Sequence, residues 1–147
     1  MEISPLQESL LNVLPYWNYR ISKPLKHLLD DGMSLEMYYC LQMMQRFDDT
    51  PTMSALGQRV KMSKQQMTKI VNRLAERGFI ERVYDPLNRR IIKIKITQEA
   101  IDYMDKFHVQ HTEYFQEMLQ SMSEEDQKDF KQAIDTILRI LSKKPCE

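Results

Sequence analysis

Glycine is nearly missing from this chain, with three in 147 residues. Loops that cradle phosphates need several closely spaced glycines, because their backbone must approach the ligand and visit positive φ. Nucleotide-binding enzymes of that kind are therefore excluded. Cysteine is as scarce: Cys40 and Cys146 are too few and too far apart for a disulfide framework. Cys40 reads as a buried helix residue, with a thiol redox sensor as the alternative, and Cys146 falls in a tail expected to fray. The chain holds no run of some eighteen apolar residues, and no basic stretch leading into an apolar run and a small-residue cleavage site. No membrane span and no signal peptide are expected, and a cytoplasmic location follows. No nucleophile stands beside a partnered base and no metal constellation is complete, so neither an enzyme nor a cofactor is expected.

Net charge is absent too, with 21 Lys and Arg against 21 Asp and Glu. Its distribution is uneven. Residues 57–97 carry a net +8, whereas residues 1–56 carry −3 and residues 98–147 carry −5. A basic patch confined to one segment, with the acidic remainder elsewhere, is the footprint expected of a module that meets nucleic acid.

That segment has an ordered pattern. Thr52 is a candidate N-cap for a short helix in which Met53, Leu56 and Val60 share a face. Lys61, Met62 and Ser63 make a turn. Ser63 and Gln66 fit a capping box, which starts a second helix there. Met67, Ile70, Val71 and Leu74 then recur at i, i+3, i+4 and i+7 and predict one buried stripe. At about 100° per residue, Gln65, Lys69 and Asn72 lie opposite that stripe, flanked by Gln66, Thr68 and Arg73. Amides and cations of this kind pair with base edges, and cations and hydroxyls with phosphates. Gly78 ends the helix, Phe79–Tyr84 turn β-like, and Asp85, Pro86 and Asn88 form a turn. Ile92, Ile94 and Ile96 alternate with Lys93 and Lys95 at the strand period of two. Arg89 and Arg90 sit at the hairpin tip, suited to a narrow minor groove. Helix, turn, helix and basic hairpin together lay out a winged helix-turn-helix, with Ser63 and Lys64 at the N-terminal turn of its reading helix.

In order and spacing, residues 52–97 resemble the MarR family of bacterial winged-helix transcription regulators, above all in the reading helix followed by NRRIIKIKIT. The resemblance places Arg90 as the wing arginine, Thr97 as the closing threonine, and Gln65, Gln66, Thr68 and Lys69 on the recognition-helix face. It departs at Asn88, which stands where the family usually has an aspartate and cannot form that residue's ion pair. It implies a homodimer that binds double-stranded DNA, most often as a repressor. Peroxide sensing through a cysteine near the N-terminus is not supported, since none precedes Cys40.

The fold expected is mainly α, a single domain over 1–147. Residues 34–97 form the DNA-binding part, a three-helix core with a two-stranded wing, and residues 1–33 and 98–147 a helical dimerisation part. Residues 5–29 read as one long helical segment that Pro15 and Pro24 should kink or restart. Ser34 can cap the next helix, with Met37, Cys40, Leu41, Met44 and Phe47 on its apolar face, and Asp48–Pro51 reads as a loop. Thr97 can start a helix to about Met122, and Ser123 another, finished by Lys143, Lys144 and Pro145. These terminal helices carry more apolar face than one winged helix needs; a second copy is the simplest cover, a monomer with a three-helix cover is the alternative, and the resemblance implies the dimer. Two recognition helices would then stand about 34 Å apart, over a pseudo-palindromic site.

By the same resemblance, a small aromatic or phenolic effector is expected in a crevice lined by Tyr16, Trp17, Tyr38, Tyr39, Met43 and Met44. Asp105, His108 and His111 fall on one helix face, but no matching pair completes them and no metal is expected. The competing function is a winged-helix protein-interaction module that does not bind DNA. It is disfavoured by the local +8 charge and by the polar outer face, where apolar anchors would be needed.

Overall fold

The structure, a computed structural model, describes residues 1–143; Lys144, Pro145 and Cys146 lie outside the described residues. The described chain divides into two compact units, Met1–His108 and the part from Val109 onward.

The first unit opens with helix α1 (Pro5–Trp17), whose N-cap Ser4 accepts the Gln7 N–H at 3.2 Å. Pro15 stays inside α1. The interruption falls instead at a π-helical turn over Asn18–Ser22, after which α2 (Lys23–Leu28) begins. Pro24 explains the position. A proline lacks the N–H and crowds the carbonyl four residues back, and the wider π turn separates the two while Pro24 itself sits in the first turn of α2, where an N–H has no helical partner. Helix α3 (Leu35–Met44) follows, capped as expected by Ser34, whose Oγ accepts the Met37 N–H at 3.1 Å.

Helices α4 (Met53–Val60) and α5 (Lys64–Glu76) form the helix-turn-helix. Thr52 caps α4, its Oγ1 accepting the Ala55 N–H at 3.0 Å. Both helices end in the same device. At the end of α5 the Gly78 N–H reaches the Ala75 carbonyl and the Phe79 N–H the Leu74 carbonyl, with Gly78 at φ 75°. At the end of α4 the Lys61 N–H reaches Gln58 and the Met62 N–H reaches Gly57, but the left-handed residue is Lys61 at φ 56°. Gly57 lets α4 and α5 approach closely, since a Cβ there would lie 3.0 Å from Cγ of Met67.

Strands β1 (Ile80–Tyr84) and β2 (Ile92–Ile96) pair antiparallel, with Ile80 opposite Ile96 and Arg82 opposite Ile94. Ile94 is buried and Lys93 and Lys95 are exposed, as the alternation predicts. The loop before α4 is less irregular than expected. The Ile94 N–H bonds to the Pro51 carbonyl at 2.8 Å and Thr52 bridges to Lys93, so this segment lies along β2 as a partial third strand. Pro51 has no N–H to offer but a free carbonyl, which suits it to such an edge.

One core joins these pieces. Met37, Cys40 and Leu41 from α3, Leu56 from α4, and Met67, Val71 and Leu74 from α5 are buried with Ile94 and with Ala100, Met104 and Phe107 of α6 (Gln98–Gln120). Thr97 starts α6 as predicted, its Oγ1 accepting the Ala100 N–H at 3.3 Å and donating to the Gly78 carbonyl at 2.6 Å.

In the second unit, α7 (Glu124–Leu141) is capped by Ser123, and its first turn carries Glu124, Glu125 and Asp126 against the helix dipole. Gln127 turns back, its Nε2 donating to the Leu119 carbonyl in the last turn of α6 (3.0 Å) and to the Met122 carbonyl just beyond it (3.3 Å). Among the described residues no helix is long and apolar enough to cross a membrane.

Lys61 bears a conformation that glycine adopts without a Cβ clash. Lys61→Gly should stabilise the fold by about 0.5–1 kcal/mol, read as a higher urea midpoint with an unchanged slope.

Candidate nucleic-acid interface

The reading helix is amphipathic in the manner expected: Met67, Ile70, Val71 and Leu74 are 1–6% exposed, and Lys64, Gln65, Gln66, Thr68, Lys69, Asn72 and Arg73 are all exposed. Burial of the stripe fixes which face looks outward. The exposed side chains then separate into two groups.

Three of them already have work within the fold. Gln66 completes the capping box: its Oε1 accepts the Ser63 N–H at 3.2 Å while the Ser63 Oγ accepts the Gln66 N–H at 3.2 Å. Thr68 Oγ1 donates to the Lys64 carbonyl at 2.8 Å. Asn72 Oδ1 accepts from the Arg82 guanidinium, which ties α5 to β1. By contrast, Lys64, Gln65, Lys69 and Arg73 make no side-chain hydrogen bond or ion pair among the described residues. Gln65 is thus the amide on this face with both its donor and acceptor ends unengaged.

The wing tip is built by two short polar side chains. Asp85 Oδ1 accepts the Leu87 N–H at 2.8 Å, and Asn88 Oδ1 accepts the Arg90 N–H at 3.1 Å. These are successive Asx turns, which hold the tip by backbone bonds rather than by an ion pair. The aspartate's replacement by Asn88 therefore leaves the Arg90 backbone anchored. Its oxygen faces the chain, and the exposed Arg89 and Arg90 guanidinium groups have no partner among the described residues.

Sequence reasoning missed one cluster behind α5. Arg77, the C-cap of that helix, pairs bidentately with Asp30, Nη1 to Oδ1 at 2.6 Å and Nη2 to Oδ2 at 3.0 Å. It is the sole ion-paired base between residues 57 and 97 among the described residues, so the rest of the basic patch remains available to an anion. The Arg77 hydrogen bond, opposed by partial burial and helped by Tyr103 and the Gly32 N–H, holds the Asp30 carboxyl down at about 2. The same bond raises Arg77. A contact between residues 47 apart leaves no periodic trace in a sequence.

The remaining expected positions are scattered. Tyr38 and Met44 are core residues, Met43 packs against the core, and Tyr16, Trp17 and Tyr39 are exposed. The Tyr38 hydroxyl lies 3.1 Å from His108 Nε2 and its ring 4.6 Å from that of Phe107. His111 stacks near Tyr114 and Phe115, with centroids at 6.3 and 5.7 Å. Cys40 is fully buried, and burial, followed by the nearby Glu36, pushes its thiol up to about 11. That leaves almost no thiolate at neutral pH, against the redox alternative.

Known proteins share this architecture. Residues 31–91 match the family model described as MarR family. The HTH-type transcriptional regulator MhqR of Bacillus subtilis is 23% identical over 101 residues, 69% of each chain. A MarR family protein from Bacillus stearothermophilus superposes with a TM-score of 0.75 at 16% identity, over 97% of this chain and 100% of that one. The organohalide-sensing regulator RdhR-CbdbA1625, in its 2,4-dichlorophenol-bound form, gives 0.64 at 17% identity, over 93% and 81%. The fold and the interface thus define a winged helix-turn-helix protein. Its residues 31–91 are similar to the MarR family, whose model they match.

The Asp30 carboxyl, lowered from 3.8 to about 2, contributes stability that is fully present above pH 4 and is lost as pH falls through about 2. Asp30→Asn should therefore melt below the wild type at pH 6, with the gap closing towards pH 2. A gap of constant size across that range would contradict the pairing.

Proposed function

We propose that the protein acts in the cytoplasm as a homodimeric, effector-responsive repressor. On this reading it recognises a pseudo-palindromic site in double-stranded DNA, with α5 in the major groove and the 85–90 wing over the minor groove. The observation that carries the reading is the outward face of α5: unengaged Gln65, Lys64, Lys69 and Arg73 on a helix pinned by its buried stripe, beside a tip with two exposed arginines. Gln65 offers the bidentate amide that suits adenine. Lys64, Lys69, Arg73, Arg89 and Arg90 supply phosphate or groove contacts. Ser63 and Gln66 present the N-terminal turn of the helix, and Thr68 and Asn72 fill out its face with their remaining donors. Asn88 shapes the tip.

Dimerisation by residues 1–33 and 98–147 is supported by what the terminal helices leave uncovered. Helix α1 buries none of its residues, and Leu6, Leu10, Leu11 and Leu14 are 50–80% exposed. Ile137, Leu138, Ile140 and Leu141 of α7 are 47–78% exposed. Apolar surface on this scale calls for a protein partner, and a second copy is the economical one. An aromatic or phenolic effector is supported by the exposed Tyr16 and Trp17 of α1 and Tyr39 of α3, and by the dichlorophenol bound to RdhR-CbdbA1625. It acts by favouring a spacing of the two reading heads that fits DNA less well.

Light scattering should give about twice the 17.6 kDa chain mass, and Leu10→Asp should reduce it towards one chain. With the dimer in hand, Gln65→Ala should lose about 1–3 kcal/mol of discrimination at one or two base pairs per half-site. Arg90→Ala should weaken binding to all duplexes by similar factors. Indistinguishable profiles for these two variants would remove base reading from α5.

A further inference from the structure

Helix α5 is held at its far end by a cluster whose side-chain hydrogen bonds use none of the exposed side chains of the reading face. Asp30 accepts four hydrogen bonds: two from Arg77, one from the Tyr103 hydroxyl at 2.9 Å on Oδ2, and one from the Gly32 N–H at 2.9 Å on Oδ1. A carboxylate has about four acceptor sites, so it is saturated. The Arg77 guanidinium also lies over two rings, 4.8 Å from the Phe79 centroid and 5.4 Å from that of Tyr103. One side chain thereby joins the last turn of α5 to the loop after α2, to the start of the hairpin and to α6.

Stability alone is a weak reason for such a device. The side chains are 30% and 47% exposed, and solvent-exposed ion pairs add little to folding. What the arrangement supplies is direction. A planar fork held in two bonds, beside two rings whose centroids stand 5.0 Å apart, permits one orientation, which a lysine cannot reproduce. Direction matters for a reading helix: 13 residues span about 20 Å, so a tilt of about 10° at one end displaces the other by about 3.5 Å, close to one base-pair rise.

We propose that the Asp30–Arg77–Tyr103 clamp sets the tilt of α5, and with it the base selectivity and half-site spacing preference of the protein. Asp30, Arg77 and Tyr103 are on this account positioning residues that need no contact with DNA. The role rests on α5 reading bases as one half of a dimer.

The test uses the full-length protein and two variants that leave net charge unchanged, Arg77→Lys and Tyr103→Phe. Each is titrated with a duplex selected by the wild type from a random pool, with that duplex respaced by one base pair between half-sites, and with random DNA, alongside thermal melting. Arg77→Lys should lower the selected-to-random affinity ratio about tenfold and flatten the spacing preference, while random binding stays within about twofold. Tyr103→Phe should do the same to a smaller degree, about threefold. Folded variants with the wild-type ratio and spacing profile would overturn the proposal, as would equal losses on all three duplexes in step with a lower melting temperature. A wild type that prefers neither a selected duplex nor a spacing would instead overturn the reading of α5 itself, and the clamp's role with it.

Discussion

The outward face of α5 depends on the burial of four side chains, Met67, Ile70, Val71 and Leu74, along the other side of the helix. Each contributes on the order of 1.5–3 kcal/mol when withdrawn from water, and together they fix the helix about its own axis. A rotation of α5 by one residue would carry Lys69 or Asn72 into the core, where an unpaired charge or amide is costly. The polar face is therefore presented by the apolar one, and its register is set by packing rather than by any contact it makes.

Rotation about the axis is only part of the geometry. The start of α5 is fixed by the Ser63–Gln66 capping box and by the left-handed Lys61 turn from α4. Its end is fixed by Gly78, whose carbonyl accepts the Thr97 hydroxyl, and by the Asp30–Arg77 pair. The hairpin is locked to the same helix through Arg82 and Asn72 and along its other edge through Pro51. Helix α5 and the wing are consequently parts of one packed unit, which holds the two surfaces proposed to meet DNA in a constant relation to each other.

Much of this was legible in the residue order, because local devices leave local traces. The caps at Ser34, Thr52, Ser63, Thr97 and Ser123, the stripe of α5 and the Ile/Lys alternation of β2 each lie within a few residues of their partners, and each is found where expected. The helix break near Pro15 and Pro24 was placed in the right region, but its form as a π turn depends on which carbonyls can be reached. What stayed hidden is what joins distant segments: Asp30 with Arg77, Tyr38 with His108, and Pro51 with Ile94. Tertiary partnership also reassigned a role on the reading face, since Asn72 looks as free as Gln65 in a helical projection. Only the structure shows that its oxygen is already engaged by Arg82.

On the proposed reading, this face and wing bind DNA by sequence. That reading is tested most directly by fluorescence anisotropy of the purified protein with a duplex from its own upstream region and with random DNA, each at two salt concentrations. Tighter binding to the upstream duplex is expected, with an affinity that falls steeply with salt as several phosphate contacts release counterions. Absence of binding to either duplex at low salt would contradict it, and would leave the polar face of α5 and the arginine tip as surfaces for a protein partner.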